Sequence, residues 1–232
     1  MKSCFFVTGT DTAAGKTVLT AALTQFLRER GHRVAAFKPI CSGGRNDARQ
    51  LHRALGGQLN LDQINPWHFR RPIAPTLAAA KEGKSVKLPA VLAHLRKVGQ
   101  PFDPVLIEGA GGLLSPLGNN FDSRDLLVAL NATPIIAAPN KLGVVNVIRL
   151  TLEALPKKVR AKAVVVLMNP AKADSATTSN ADLLAKFHPR SNLFTFPWLG
   201  SSFSLETALK NPHVRRSLRN LAARLISTPA RW

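Results

Sequence analysis

The stretch from Cys4 to Thr17, CFFVTGTDTAAGKT, restricts the possible folds more than any other part of the chain. Cys4 to Val7 is an apolar run of the length of a short buried strand, and it breaks at Thr8-Gly9. A small, polar loop then leads into Gly15-Lys16-Thr17. After it, Val18, Leu19, Ala22, Leu23, Phe26 and Leu27 recur at helical spacing. Strand, loop, Gly-Lys-Thr and helix together form the setting of a phosphate-binding loop. Backbone N–H groups of Ala13, Ala14, Gly15, Lys16, Thr17 and Val18 would converge on one anion at the helix start. Lys16 would add a mobile charge for the outer phosphates, and the Thr17 hydroxyl would reach a bridging Mg²⁺. The loop has five residues, Thr10 to Ala14, between its glycines, one more than the common pattern. The competing reading is an ordinary strand-to-helix turn with a chance Gly-Lys-Thr.

Further apolar runs alternate with helical stripes. Strands are expected at Val34–Phe37, Val105–Ile107, Pro134–Ala138, Ala163–Met168 and Leu193–Phe196. Helices are expected from Asp47 to the Gly56-Gly57 stop, at Thr76–Gly83, from Leu88 to Gly99, and over Asp125–Leu130, Val144–Leu155, Ala181–Phe187 and Pro212–Ile226. Asn65–Pro75, with three prolines, reads as irregular. The pattern predicts an α/β chain, residues 1–232 as one domain, with a mostly parallel sheet, helices on both faces and a P-loop NTPase-like fold.

In such a sheet, ligands bind outside the carboxyl ends of the strands. The residues expected there are the phosphate loop, Lys38, Glu108 with Gly109-Ala110-Gly111-Gly112, Asn140-Lys141, Asn169 and Pro197-Trp198. Glu108 ends an apolar run where an acid for Mg²⁺ would stand; otherwise it opens a surface turn. Asp47 is a second metal-binding candidate or a helix N-cap, and the two roles can coexist. Lys38 is either a fixed cation for a transferring phosphoryl group or a lysine reaching solvent. Gly109 to Gly112 allow close backbone approach to a ligand or form a plain turn. Cys41 is a reactive thiol or a small buried residue. The six His fall into no metal-binding spacing.

Lys and Arg number 32 against 13 Asp and Glu, a formal charge of +19. Such a charge suits a nucleic-acid partner. The basic residues are spread along the chain, however, and Tyr is absent, so a stacking platform is poorly supplied. A solvated basic surface is the reading preferred, with nucleic acid not expected as a partner. Two cysteines make no disulfide framework, no apolar run is long enough to span a membrane, and the first residues have no signal-peptide layout. A cytoplasmic location is expected.

Taken together, GTDTAAGKT, FKPICSG, IEGAGG, NKLGVVN, MNP and FPWLG resemble dethiobiotin synthetase, in order and over nearly the whole chain. The resemblance implies an ATP- and Mg²⁺-dependent closure of the dethiobiotin ureido ring from 7,8-diaminopelargonic acid and CO₂, through a carbamate and its mixed anhydride with phosphate. By position, Lys16 would bind phosphates and Lys38 the carbamate and transferring phosphoryl group. Thr12 and Ser42 would hydrogen-bond the carbamate, and Thr17, Asp47 and Glu108 would hold Mg²⁺. Gly109, Ala110 and Gly111 would border the nucleotide, and Gly111 with Gly112 the diamine. Asn169 would read the adenine edge, with Pro197, Trp198 and Leu199 lining the base pocket. Leu142, Gly143, Val144 and Asn146 would receive the substrate's carboxylate across the interface of a homodimer whose subunits share the active site.

The chain departs from that family in three ways. Ala13 stands where an acid is usual, the segment from Lys38 to Asp47 is short, and the charge is unusually high. Two other groups share the expected fold. One is the partition- or nitrogenase-type ATPases that bind DNA, which carry a lysine near the start of the loop where this chain has Thr10-Asp11. The other is the synthetase half of cobyrinic acid-type amidotransferases, normally joined to a glutaminase domain. A non-catalytic paralogue is a third alternative.

Overall fold

The structure, a computed structural model, describes residues 3–200 and 204–226. Its centre is β1 (Cys4–Gly9), flanked by β5 (Val105–Gly112) on one side and β8 (Thr133–Pro139) on the other. Phe6 sits opposite Ile107 of β5 and Pro134 of β8. Beyond β5 lies β2 (Ala35–Phe37). Beyond β8 lie β9 (Val164–Met168) and then β10 (Leu193–Phe196). Every pairing in this six-stranded sheet is parallel. Both faces are covered, which is why β1, β8 and β9 read as continuous apolar runs instead of alternating ones. Each large side chain buried there, such as Phe6 or Ile136, contributes about 1.5–3 kcal/mol.

Helix α1 (Lys16–Glu29) follows the phosphate loop. It packs against α2 (Asn46–Ala54), α10 (Leu205–Lys210) and α11 (Pro212–Leu225). Elsewhere α5 (Leu88–Gly99) touches α6 (Ser123–Ala129), and α7 (Val144–Glu153) touches α9 (Ser175–Leu184). Among the described residues no helix is long and apolar enough to cross a membrane.

The structure departs from the sequence expectations in several places. Ile40–Ser42 (β3) pairs in parallel with Trp67–Phe69 (β4), inside the segment read as irregular. A three-residue strand between prolines is too short for its period to show. Strand β5 runs through Gly109 and ends at Gly112, so these residues do not form a turn, and Glu108 lies mid-strand. The glycines let β5 stay close to its neighbours: a Cβ at Gly109 would lie 3.0 Å from the Phe6 ring. Helix α9 begins six residues before Ala181, where the Asp174 carboxylate accepts from Thr177 N and the first turns are polar. The short helices α3 (Leu61–Ile64), α4 (Pro75–Lys81) and α8 (Lys157–Arg160) and the hairpin β6 (Pro116–Gly118)–β7 (Phe121–Asp122) complete the chain. Of these, only α4 has a signal in the sequence.

Candidate active site

Because the sheet is parallel, the carboxyl ends of its strands share one edge, and a cavity of about 790 Å³ opens there. The phosphate loop forms one wall. Gly15, at φ 85°, packs against Met168 at the end of β9, and a Cβ on it would lie 2.9 Å from the Met168 methyl. A side chain here would be strained and would clash. No side chain caps α1 and no acid lies in its first turn, so its leading N–H groups face the cavity as an anion site. Lys16 is only 6% exposed, and its ammonium donates to the Asp11 carbonyl at 2.8 Å. Burial pushes the Lys16 ammonium down to about 8. Lys38 adds to that push, and Glu108, Asp47 and Asp11 oppose it.

Beside the loop lies a charge cluster in which Lys38 and Glu108 are buried. Lys38 Nζ donates to Glu108 Oε1 at 2.7 Å and to the Gly109 carbonyl at 2.9 Å, and it pairs with Asp47 Oδ2 at 3.0 Å. Burial alone would lower the Lys38 ammonium. The Glu108 and Asp47 charges outweigh it and hold the group above the ordinary lysine value. Both carboxylates thus favour the charged form of Lys38. Thr17 Oγ1 donates to the same Glu108 Oε1 at 2.7 Å, joining the loop to the cluster. The other carboxylate oxygen, Glu108 Oε2, is buried with no hydrogen-bond partner among the described residues. A half-satisfied carboxyl group beside a hydroxyl and a second acid is a set of hard oxygen donors, which suits Mg²⁺ when phosphate oxygens complete its shell.

A family profile described as an AAA domain matches residues 4–203. The ATP-dependent dethiobiotin synthetase BioD 1 of Escherichia coli O157:H7 is 37% identical over 67% of this chain and 72% of its own length. The corresponding protein of Anaeromyxobacter dehalogenans strain 2CP-C is 37% identical over 83% of this chain and 89% of its own. The chain belongs to the dethiobiotin synthetase family. Among solved structures, the MinC:MinD cell division complex of Aquifex aeolicus aligns at TM-score 0.62 with 12% identity, covering 98% of this chain and 97% of that one. The hydrogenase maturation factor HypB of Archaeoglobus fulgidus aligns at 0.52 with 15% identity, covering 95% of this chain and 89% of that one. At such identities the likeness is one of fold alone, and it does not favour the partition-type reading.

The residues implied by the dethiobiotin synthetase resemblance fall into two groups. Thr12 to Val18, Lys38, Ser42, Asp47, Glu108, Ala110 and Gly111 all line the one cavity. Gly109 borders it through the carbonyl that accepts from Lys38. Lys38 is buried, so the reading of a lysine reaching solvent falls. Asp47 is the second residue of α2; Arg45 holds the N-cap position, so the N-cap reading of Asp47 falls too. Cys41 is buried, and its thiol is pushed up by burial, which fits the small-residue reading.

The second group does not line this cavity. Gly112 pairs with Gly9 in the sheet. Asn169 follows β9, its side-chain oxygen accepting from Asn140 Nδ2 at 2.9 Å. Trp198 and Leu199 border a separate cavity of about 440 Å³, and Pro197 precedes them. Leu142 is 85% exposed, and Gly143 is the N-cap of α7, leading to buried Val144 and exposed Asn146.

Some lining residues carried no sequence signal. Pro72 to Pro75 close the cavity from the β4–α4 connection, and Ser42 donates to the Ile73 carbonyl at 2.6 Å. Ser115 and Pro116 enter from the turn after β5. Asn140 was visible as a polar residue after a strand. Its hold on Asn169 was not.

Proposed function

We infer that this protein is an ATP-dependent dethiobiotin synthetase, closing the ureido ring of dethiobiotin from 7,8-diaminopelargonic acid and CO₂. The observation that carries the reading is Lys38, buried and paired with Glu108 and Asp47, and joined through Glu108 and Thr17 to an intact phosphate loop that lines the same cavity. In this reading one amine of the substrate bonds to CO₂ and loses a proton, giving a carbamate. A carbamate oxygen attacks the γ-phosphorus as the bond to ADP breaks. The second amine then attacks the carbonyl carbon, closing the ring and expelling phosphate.

Lys38 acts as a fixed cation and not as a base, because its neighbours keep it protonated. It holds the carbamate and the oxygens of the transferring phosphoryl group. Lys16 and the α1 N–H groups bind the outer phosphates, and Thr12 and Ser42 orient the carbamate from the rim. Mg²⁺, held by Thr17, Asp47 and Glu108, would neutralise charge on the β- and γ-phosphates. Asn169, oriented by Asn140, reads the adenine edge beside Pro197, Trp198 and Leu199.

The protein works as a homodimer in this proposal. Val147 and Leu150 on α7 and Leu142 just before it leave apolar side chains exposed, and the start of that helix, which no side chain caps, offers N–H groups to the substrate carboxylate in the partner's site. The free thiols Cys4 and Cys41 suit a reducing cytoplasm. The test is one incubation with MgATP, bicarbonate and the diamine, read by mass spectrometry alongside ADP release. Dethiobiotin formed with ADP is the expected result, and ADP without dethiobiotin would refute the assignment.

A further inference from the structure

We propose that Asn65 is a positioning residue for this site, holding Lys38 directly and Asp47 through Arg45; the proposal rests on the functional reading above. Asn65 is fully buried between α3 and β4 and touches none of the reacting groups assigned there. Its Nδ2 donates to the Lys38 carbonyl at 2.6 Å. Its Oδ1 accepts from Arg45 Nε at 3.2 Å and from the Cys41 thiol at 3.2 Å. Only this orientation of the amide works, because the flipped form would set Nδ2 against two donors and Oδ1 against a carbonyl. One side chain therefore holds three points of the segment that leads from Lys38 to α2: the Lys38 carbonyl, Cys41 in the middle of β3, and Arg45 at the start of α2.

Arg45 completes the clamp. Its Nη2 donates to the Leu61 carbonyl at 2.6 Å, the Asn65 carbonyl at 3.0 Å and Asp62 Oδ1 at 2.9 Å. It is also the N-cap residue of α2, two positions before Asp47. The Asp47 side chain is 43% exposed, so packing alone does not hold it 3.0 Å from Lys38. Lys38 N donates to the Ile64 carbonyl and Trp67 N to the Pro39 carbonyl, both at 3.1 Å, so backbone bonds on either side of Asn65 keep the same register. A polar network centred on a buried amide with both its ends bonded rigidifies what it joins.

The test compares wild type, Asn65→Asp, Arg45→Lys and Asn60→Ala. Asn65→Asp keeps the shape and both acceptor contacts but turns an acceptor toward the Lys38 carbonyl. Arg45→Lys keeps the charge and loses the fork. Asn60 only caps α3 nearby, so Asn60→Ala is the structural control. With geometry as the lost quantity, kcat should fall about thirtyfold in Asn65→Asp and about tenfold in Arg45→Lys, with KM for ATP within about threefold. Asn60→Ala should lower the thermal midpoint and leave kcat alone. Should Asn65→Asp not fold, Arg45→Lys carries the kinetic test. Unchanged kcat in the folded variants, or an equal loss in Asn60→Ala, overturns the proposal. If the wild type forms no dethiobiotin, the functional reading fails first. The geometry is then read from a crystal structure of Arg45→Lys, where a Lys38–Asp47 separation beyond about 4 Å, the outer limit of an ion pair, supports the proposal and an unchanged 3.0 Å overturns it.

Discussion

The loop-facing half of the site and the start of α7 were built by opposite means. Around Lys38, charged groups are already assembled inside one chain: Glu108, Asp47, Thr17 and the phosphate loop meet at hydrogen-bond distances, and Lys38 and Glu108 are buried. At Leu142 to Asn146 nothing is assembled, and a leucine stands 85% exposed at the mouth of an uncapped helix. The difference is one of cost. Two groups buried as deeply as Lys38 and Glu108 are held at lower cost when they are paired with each other before a ligand arrives. An apolar helix face carries no such penalty and can wait for a second surface.

The comparison is open to attack, beginning with the assembled half. Lys38→Ala should cost about a thousandfold in kcat. Because it strands the Glu108 carboxylate, it should also lower stability by about 3–5 kcal/mol in urea titrations, the secondary structure surviving in circular dichroism. Adding Glu108→Gln to Lys38→Met should restore most of that stability and none of the activity. The exposed face of α7 should break without disturbing the charge cluster. Leu150→Glu should weaken the proposed dimer at least about thirtyfold in sedimentation velocity, while ATP affinity stays unchanged.

Two further effects are nearer tenfold. Trp198→Ala should weaken ATP binding by about tenfold in calorimetry if the ring lines the base pocket. ATP affinity should also fall as pH rises through about 8, because Lys16 is charged below that value and neutral above it, by about tenfold between pH 7 and 9. Lys16→Arg should flatten that dependence. The smallest effect belongs to the loop itself. Ala13 sits at φ 58°, so Ala13→Gly should leave kcat unchanged and shift stability by at most about 1 kcal/mol, relief of the left-handed conformation being offset by chain entropy.

The parts of the site legible in the sequence are those whose chemistry is local. The phosphate loop announces itself because strand, glycines and helix are consecutive. Lys38, Glu108 and Asn169 follow or interrupt apolar runs, and a parallel sheet brings such positions to one edge. Asn65 and Arg45 gave no comparable sign. Their partners lie 16 to 27 residues away, and an asparagine before a proline reads as loop. Strands β3 and β4 were missed for a similar reason: each is three residues long, and their pairing is a tertiary event.

By itself, then, the order of residues determined the parallel α/β framework, the anion site at the start of α1 and the presence of a lysine and an acid at the sheet edge. Periodicity and glycine spacing act within one element and survive as text. Tertiary structure alone decided that Lys38 is buried and paired with two carboxylates that favour its charged form, that Asp47 is an ion partner and not a helix cap, and that Glu108 lies inside a strand with one oxygen unspent. Each of these depends on desolvation and on distances between segments far apart in the chain, and neither quantity is written in a run of neighbouring residues.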